Sequence, residues 1–97
     1  TDFVRYRAVE RKPLECTYRG YRVISAPPPS SGGVVLCESL NLLSGWPVDP
    51  AGFHSAHSVH YMTETLRRAF RDRNLELGDP DFVHADVERL ISREYAD

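Results

Sequence analysis

An α+β fold, a β-hairpin followed by three helices, is what this sequence predicts, and three observations predict it. Apolar residues alternate with polar ones from Leu14 to Ser25 around an Arg19-Gly20 break, with the period of two that belongs to strands. A triple proline, Pro27-Pro28-Pro29, then ends that pattern, and beyond it the apolar spacing changes to steps of three and four, the helical period. The 97 residues bound the chain to one domain, and 41% hydrophobic with 27% charged residues is the balance of a folded, water-soluble segment.

Each element follows from local chemistry. Asp2-Phe3-Val4-Arg5-Tyr6 has room for one short helical turn behind Thr1 as its cap. Leu14, Cys16 and Tyr18 share one strand face, Tyr21, Val23 and Ser25 share another, and Gly20 supplies the positive φ of the tight turn between them. The strand stops by Ala26, because proline lacks the ladder N–H and holds the residue before it extended. A hydroxyl of Ser30 or Ser31 can accept from the free N–H groups of the next helix. That helix is predicted from about Gly33 to Leu43, with Leu36, Leu40 and Leu43 as its apolar stripe, Cys37 beside them and Gly45 as its stop. Residues 46–53 read as a proline-punctuated loop in which Trp46 anchors on a neighbouring layer. Ser55 caps a longer helix that buries Val59, Met62, Leu66, Ala69 and Phe70, while Glu64, Arg67, Arg68, Arg71 and Asp72 form its solvated face. Gly78-Asp79-Pro80-Asp81 ends it, and Asp86 caps a third helix with Val87, Leu90, Ile91 and Tyr95 on its stripe.

Charge and cysteine content exclude several classes. Twelve Lys plus Arg against 14 Asp plus Glu, a net charge of -2, provide no global field for nucleic acid or an anionic membrane. Two cysteines, Cys16 and Cys37, are too few for a stapled mini-domain, spacing does not supply the short Cα separation a bridge needs, and the expectation is that they stay unpaired. No apolar run approaches the roughly 18 residues of a membrane span, and Thr1 to Glu10 has no signal-peptide pattern.

Four features invite chemistry, and each has a plainer explanation that is preferred. Thr1 could use its own amine as a base, but Asp2-Phe3 behind it offer no support. His54, His57 and His60 recur every third residue with Glu64 one turn on, yet the HExxH pattern of a zinc site is absent, so solvated histidines are expected. Pro27 to Gly33 could form an anion-binding nest or a proline ligand. Without a Walker lysine it reads instead as a rigid strand-to-helix corner. Arg67, Arg68, Arg71 and Arg73 interleave with Glu64, Asp72 and Glu76 and have no aromatic spaced for base stacking, which is a solvated face.

Strings in this order resemble one family. Tyr18-Arg19-Gly20-Tyr21-Arg22-Val23, Pro27-Pro28-Pro29-Ser30-Ser31-Gly32-Gly33, Leu40-Asn41-Leu42-Leu43 and Leu77-Gly78-Asp79-Pro80-Asp81-Phe82-Val83 are similar to gamma-glutamyltransferases (gamma-glutamyltranspeptidases), with Tyr6, Ala8-Val9 and Arg11-Lys12-Pro13 in register ahead of them. The resemblance implies the C-terminal part of a large subunit in an N-terminal-nucleophile hydrolase of four-layer αββα fold. In that family a precursor cuts itself, and a threonine at the new terminus of the small subunit attacks the gamma-glutamyl amide of glutathione and related compounds. The acyl group then passes to an amino acid, a peptide or water. It also implies a periplasmic or extracellular parent whose partners are the rest of the large subunit, the small subunit and a glutathione-type substrate. The family's Thr-Thr-His nucleophile string has no counterpart here, and its substrate-binding arginine precedes this segment. No catalytic, substrate-binding or metal residue and no cofactor is therefore assigned to residues 1–97. The isolated chain is expected to be inactive and to self-associate through its bared helix faces. Two other readings stay open, a stand-alone interaction module and a piece of a sibling cephalosporin acylase.

Overall fold

The structure, a computed structural model, describes residues 1–46 and 52–97. Along the chain it holds the short helix α1 (Asp2–Arg5), strands β1 (Leu14–Tyr18) and β2 (Tyr21–Ser25), and helices α2 (Gly32–Ser44) and α3 (Ala56–Glu76). Two single turns follow, α4 (Val87–Leu90) and α5 (Arg93–Ala96). The expected hairpin is present: β1 and β2 pair antiparallel with Leu14 opposite Ser25, Cys16 opposite Val23 and Tyr18 opposite Tyr21. Its turn places both Arg19 (φ 51) and Gly20 (φ 82) in the left-handed region, the requirement of a two-residue turn whose twist matches that of the strands. Glu15 and Arg22 meet on the outer face at 2.7 Å.

The core is small and lies between the hairpin, α2 and the C-terminal turns. Leu14, Val34, Cys37 and Leu90 form it, with Cys16, Leu77, Val87 and Ile91 packed around them. The expectation of unpaired thiols is wrong: Cys16 and Cys37 form a disulfide with their Cα atoms 5.9 Å apart. The inner face of β1 lies directly over α2, a proximity between elements 21 residues apart that spacing along the chain does not encode.

Both long helices bury a different face from the one their leucines suggest. In α2 the buried residues are Gly33, Val34, Cys37, Glu38, Ser39 and Asn41, while Leu36 is exposed and Leu40 and Leu43 are only half-buried. In α3 the buried residues are Ser58, Thr65, Ala69 and Asp72. Val59, Met62, Leu66 and Phe70 each remain between 44% and 51% exposed, so of the expected stripe only Ala69 is covered. The two helices pack on each other through small and polar side chains, which allow close approach, and the bulky apolar residues are turned outward.

Capping explains the remaining boundaries. The Ser55 hydroxyl accepts from Ser58 N at 3.1 Å, as expected. The expected third helix is instead two turns. Asp86 caps the first by accepting from Arg89 N, and Ser92 interrupts the run by capping the second through Tyr95 N at 3.2 Å. A serine hydroxyl offers the backbone an alternative to continued helix, which is why the run breaks there. Thr1 precedes α1 without a side-chain cap. Gly45 ends α2 with an ordinary negative φ of -85. Trp46 anchors as expected, its ring 5.2 Å from that of Tyr61 on α3 and its face under Arg68. The rest of that loop includes residues 47–51, outside the described residues.

The bridge closes a chain separation of 21 residues inside the core, so reduction, or Cys16→Ser with Cys37→Ser, should lower stability by about 3 kcal/mol. Urea melts with and without reductant measure this, and coincident curves would contradict it.

Candidate functional site

The strand-to-helix corner is built by exclusion of side-chain volume. A Cβ on Gly33 would lie 2.4 Å from the carbonyl oxygen of Ala26 and 3.2 Å from the Ser25 side chain, distances that no side chain survives without backbone movement. Gly32 is different, since a Cβ there would meet only Ser30 Oγ at 3.7 Å. Of the two glycines in the expected rigid corner, the geometry requires only Gly33. Ser30 Oγ accepts from Gly32 N at 3.4 Å. Ser31, at the N-cap position, makes no cap bond, and its hydroxyl accepts from Arg73 Nε at 2.8 Å, which ties the corner to α3. Arg73 therefore does not belong to a solvated cluster. Beside the corner, Arg11 meets Asp81 at 3.4 Å over an open groove of about 630 Å³ floored by Leu14, Pro27 and Pro28.

The second place where polar groups converge is a cavity of about 340 Å³ between α2, α3 and the C-terminal turn, lined by Glu38, Arg68, Arg71, Asp72 and Tyr95. Sequence reading missed Glu38 and placed Asp72 on the solvated face, yet they are only 3% and 5% exposed. The Tyr95 hydroxyl donates to Asp72 Oδ2 at 2.8 Å, and Arg71 Nη1 stands 3.5 Å from Oδ1. Glu38 Oε2 has no hydrogen-bond partner among the described residues. Burial, followed by the hydrogen bond and charge of Asp72, pushes the Glu38 carboxyl from 4.5 up to about 8, with Glu76 adding to the rise and Arg89 opposing it. Its bond to Asp72 also holds the Tyr95 phenol above its ordinary value. The one available signal was the spacing of Ser58, Thr65, Ala69 and Asp72, which is helical but small and polar, and an apolar-stripe search passes over it.

The other sequence candidates are not brought together. Thr1 is exposed, and its carbonyl accepts from Arg5 N at 3.1 Å. His54 (φ 54) stacks on Phe53 with ring centroids 3.7 Å apart, and His57 and His60 are exposed. Among the described residues no group of three or more His, Cys, Asp or Glu could hold a metal ion. Glu64 pairs with Arg67 at 3.1 Å and with Arg68 at 3.2 Å, the solvated ladder that was expected.

Comparison with known proteins places this geometry. The family model for Gamma-glutamyltranspeptidase matches residues 1–97. The chain belongs to the gamma-glutamyltranspeptidase family. It is 54% identical over 95 residues to a glutathione hydrolase proenzyme of Pseudomonas sp. (strain A14), covering 98% of this chain and 16% of the relative. It is 45% identical over 96 residues to the acylase ACY 1 proenzyme of Pseudomonas sp. (strain SE83), covering 99% of this chain and 17% of the relative. The crystal structure of Helicobacter pylori gamma-glutamyltranspeptidase superposes with a TM-score of 0.94 at 38% identity, over 99% of this chain and 28% of that one. The chain thus spans about a sixth of the length of the curated relatives it matches. The family resemblance carried by the PPPSSGG and LGDPDFV strings is correct, and within this family segment the corner and the buried carboxyl pair are the two built polar features described above.

The corner geometry separates its two glycines. Gly33→Ala should cost at least 1–3 kcal/mol through the forced contact with Ala26, whereas Gly32→Ala should stay within about 0.5 kcal/mol. Parallel chemical melts of the two variants measure this, and equal losses would contradict the assignment.

Proposed function

We propose that this chain is part of the large-subunit region of a gamma-glutamyltransferase, toward that subunit's C-terminal end. The parent cleaves the gamma-glutamyl amide of glutathione-type substrates through a threonine acyl-enzyme and passes the glutamyl group to an amino acid, a peptide or water. The observation that carries the reading is the match of residues 1–97 to the family together with 54% identity to a glutathione hydrolase proenzyme. The acylase relative stands at 45% over the same span, level with a second glutathione hydrolase proenzyme at 44%, so a sibling acylase is the second reading. The hairpin and helices then form part of a four-layer αββα body completed by the remainder of the large subunit and by the small subunit.

Surface area supports an incomplete body. A free-standing protein of 11.0 kDa exposes about 5,600 Å², and this chain exposes 7284 Å². Much of the excess is apolar: Phe3, Val4, Phe53 and Phe82 are at least 75% exposed, beside the outward face of α3. No helix among the described residues is long and apolar enough to cross a membrane. The Cys16–Cys37 bridge favours a parent that matures in an oxidising compartment, periplasmic or extracellular, where such bonds persist.

No residue of this segment is assigned to catalysis, since the family's Thr-Thr-His string has no counterpart in residues 1–97. The isolated chain should release no amine from a chromogenic gamma-glutamyl anilide, and release above the blank would overturn that assignment. The coding sequence beyond Asp97 tests the parentage directly. A Thr-Thr-His string followed by a Gly-Asn turn within several dozen residues is expected, and its absence would remove the transferase reading.

The outward residues of α3 also predict how the isolated chain behaves. Burying side chains such as Val59, Met62, Leu66 and Phe70 is worth roughly 1.5–3 kcal/mol each, and two-fold pairing covers the same patch on both copies. Sedimentation at several concentrations should show a dimer. A cooperatively folded monomer throughout would instead favour a stand-alone module.

A further inference from the structure

We propose that Glu38 and Asp72 form a proton-holding latch between α2 and α3, closed while Glu38 keeps its proton and loosened when that proton is lost. The geometry favours a proton. The two carboxyl groups are almost fully buried on facing helices and line one cavity, where two ionised carboxylates would repel each other with little screening. Glu38 Oε2 has no donor among the described residues, so an ionised Glu38 would carry charge into a place that offers it no compensation.

The surroundings decide which way the latch responds. From α3, Asp72 and Glu76 face Glu38 and disfavour its charge, and Arg68 and Arg71 line the shared cavity. From α4, Arg89 opposes them, but its guanidinium is engaged by Glu76. From the C-terminal turn, Tyr95 donates its hydroxyl to Asp72, and Asp97 adds a further carboxylate to the cavity wall. The hairpin contributes little, because its charged Glu15 and Arg22 pair with each other on the outer face. Acidic groups dominate. A carboxyl whose folded value lies above its unfolded one adds stability that is complete below the unfolded value and is lost as pH rises through the folded value. The window therefore runs from 4.5 up to about 8.

The latch sits one residue from a second tie, since Arg73, next to Asp72, donates to Ser31 at the corner. Loss of the proton thus acts where α3 sets the angle at which α2 leaves Gly33.

The test uses the whole protein that carries this segment, as wild type and Glu38→Gln, which keeps shape and neutrality. Infrared spectra of protein labelled with isotopic glutamate should show a protonated glutamic acid band at neutral pH that disappears above about 8 and is missing from the variant. Hydrogen exchange, corrected for intrinsic rate, should show α2 and α3 losing protection over the same rise in wild type and not in Glu38→Gln. Absence of the band at neutral pH, or equal pH dependence of protection in the two proteins, would overturn the proposal. If the variant does not fold, the labelled band of the wild type decides by itself.

Discussion

The close approach of Gly33 to the carbonyl of Ala26 fixes how the hairpin meets α2 and, through α2, the C-terminal turns. A helix that begins against a backbone oxygen cannot be displaced outward by even a methyl group without moving the strand it follows. This contact sets α2 directly beneath the hairpin. Cys37, one turn along, then meets Cys16, and Asn41, a further turn along, donates to the carbonyl of Ile91 at 2.6 Å. The three contacts lie on one side of α2 at helical spacing, so a single helix orients the hairpin and the C-terminal turns at once. With only five buried hydrophobic residues among the described ones, the segment depends on such fixed contacts more than on core volume.

Backbone-level features were legible in the sequence because their causes are local. Gly20 needs no neighbour to permit a positive φ, three prolines end a strand wherever they stand, and Ser55 and Asp86 cap helices that begin immediately after them. The family was legible because the corner and turn strings, PPPSSGG and LGDPDFV, stand in order along the chain. Which face of α2 and α3 turns inward was not legible. Their leucines and Phe70 read as core-facing and stay exposed or half-buried, whereas Leu90 on α4 is buried as its stripe predicts. Hydrophobic spacing reports that a face will be covered without reporting by which stretch of chain. The Cys16–Cys37 bridge and the Glu38–Asp72 pair were hidden likewise, because each joins residues more than twenty positions apart on separate elements.

The interface between α2 and α3 is chemically unusual for its depth. Ser39 and Thr65 hydroxyls are buried there without partners among the described residues, in addition to the carboxyl pair. Apolar packing could have joined the helices with less electrostatic cost, and replacing such buried groups by hydrophobic ones often stabilises a fold. What polar groups supply is orientation. Tyr95 to Asp72 and Arg73 to Ser31 each accept one geometry, whereas leucines tolerate sliding.

Helix α3 divides its labour between its two sides. Its small and polar side packs on α2, and its bulky apolar side is about half exposed. A change at Ala69 or Asp72 is felt through the helix pair, where both residues are buried. A change at Met62 or Leu66 falls on the half-exposed side, so the two sides can be altered one at a time.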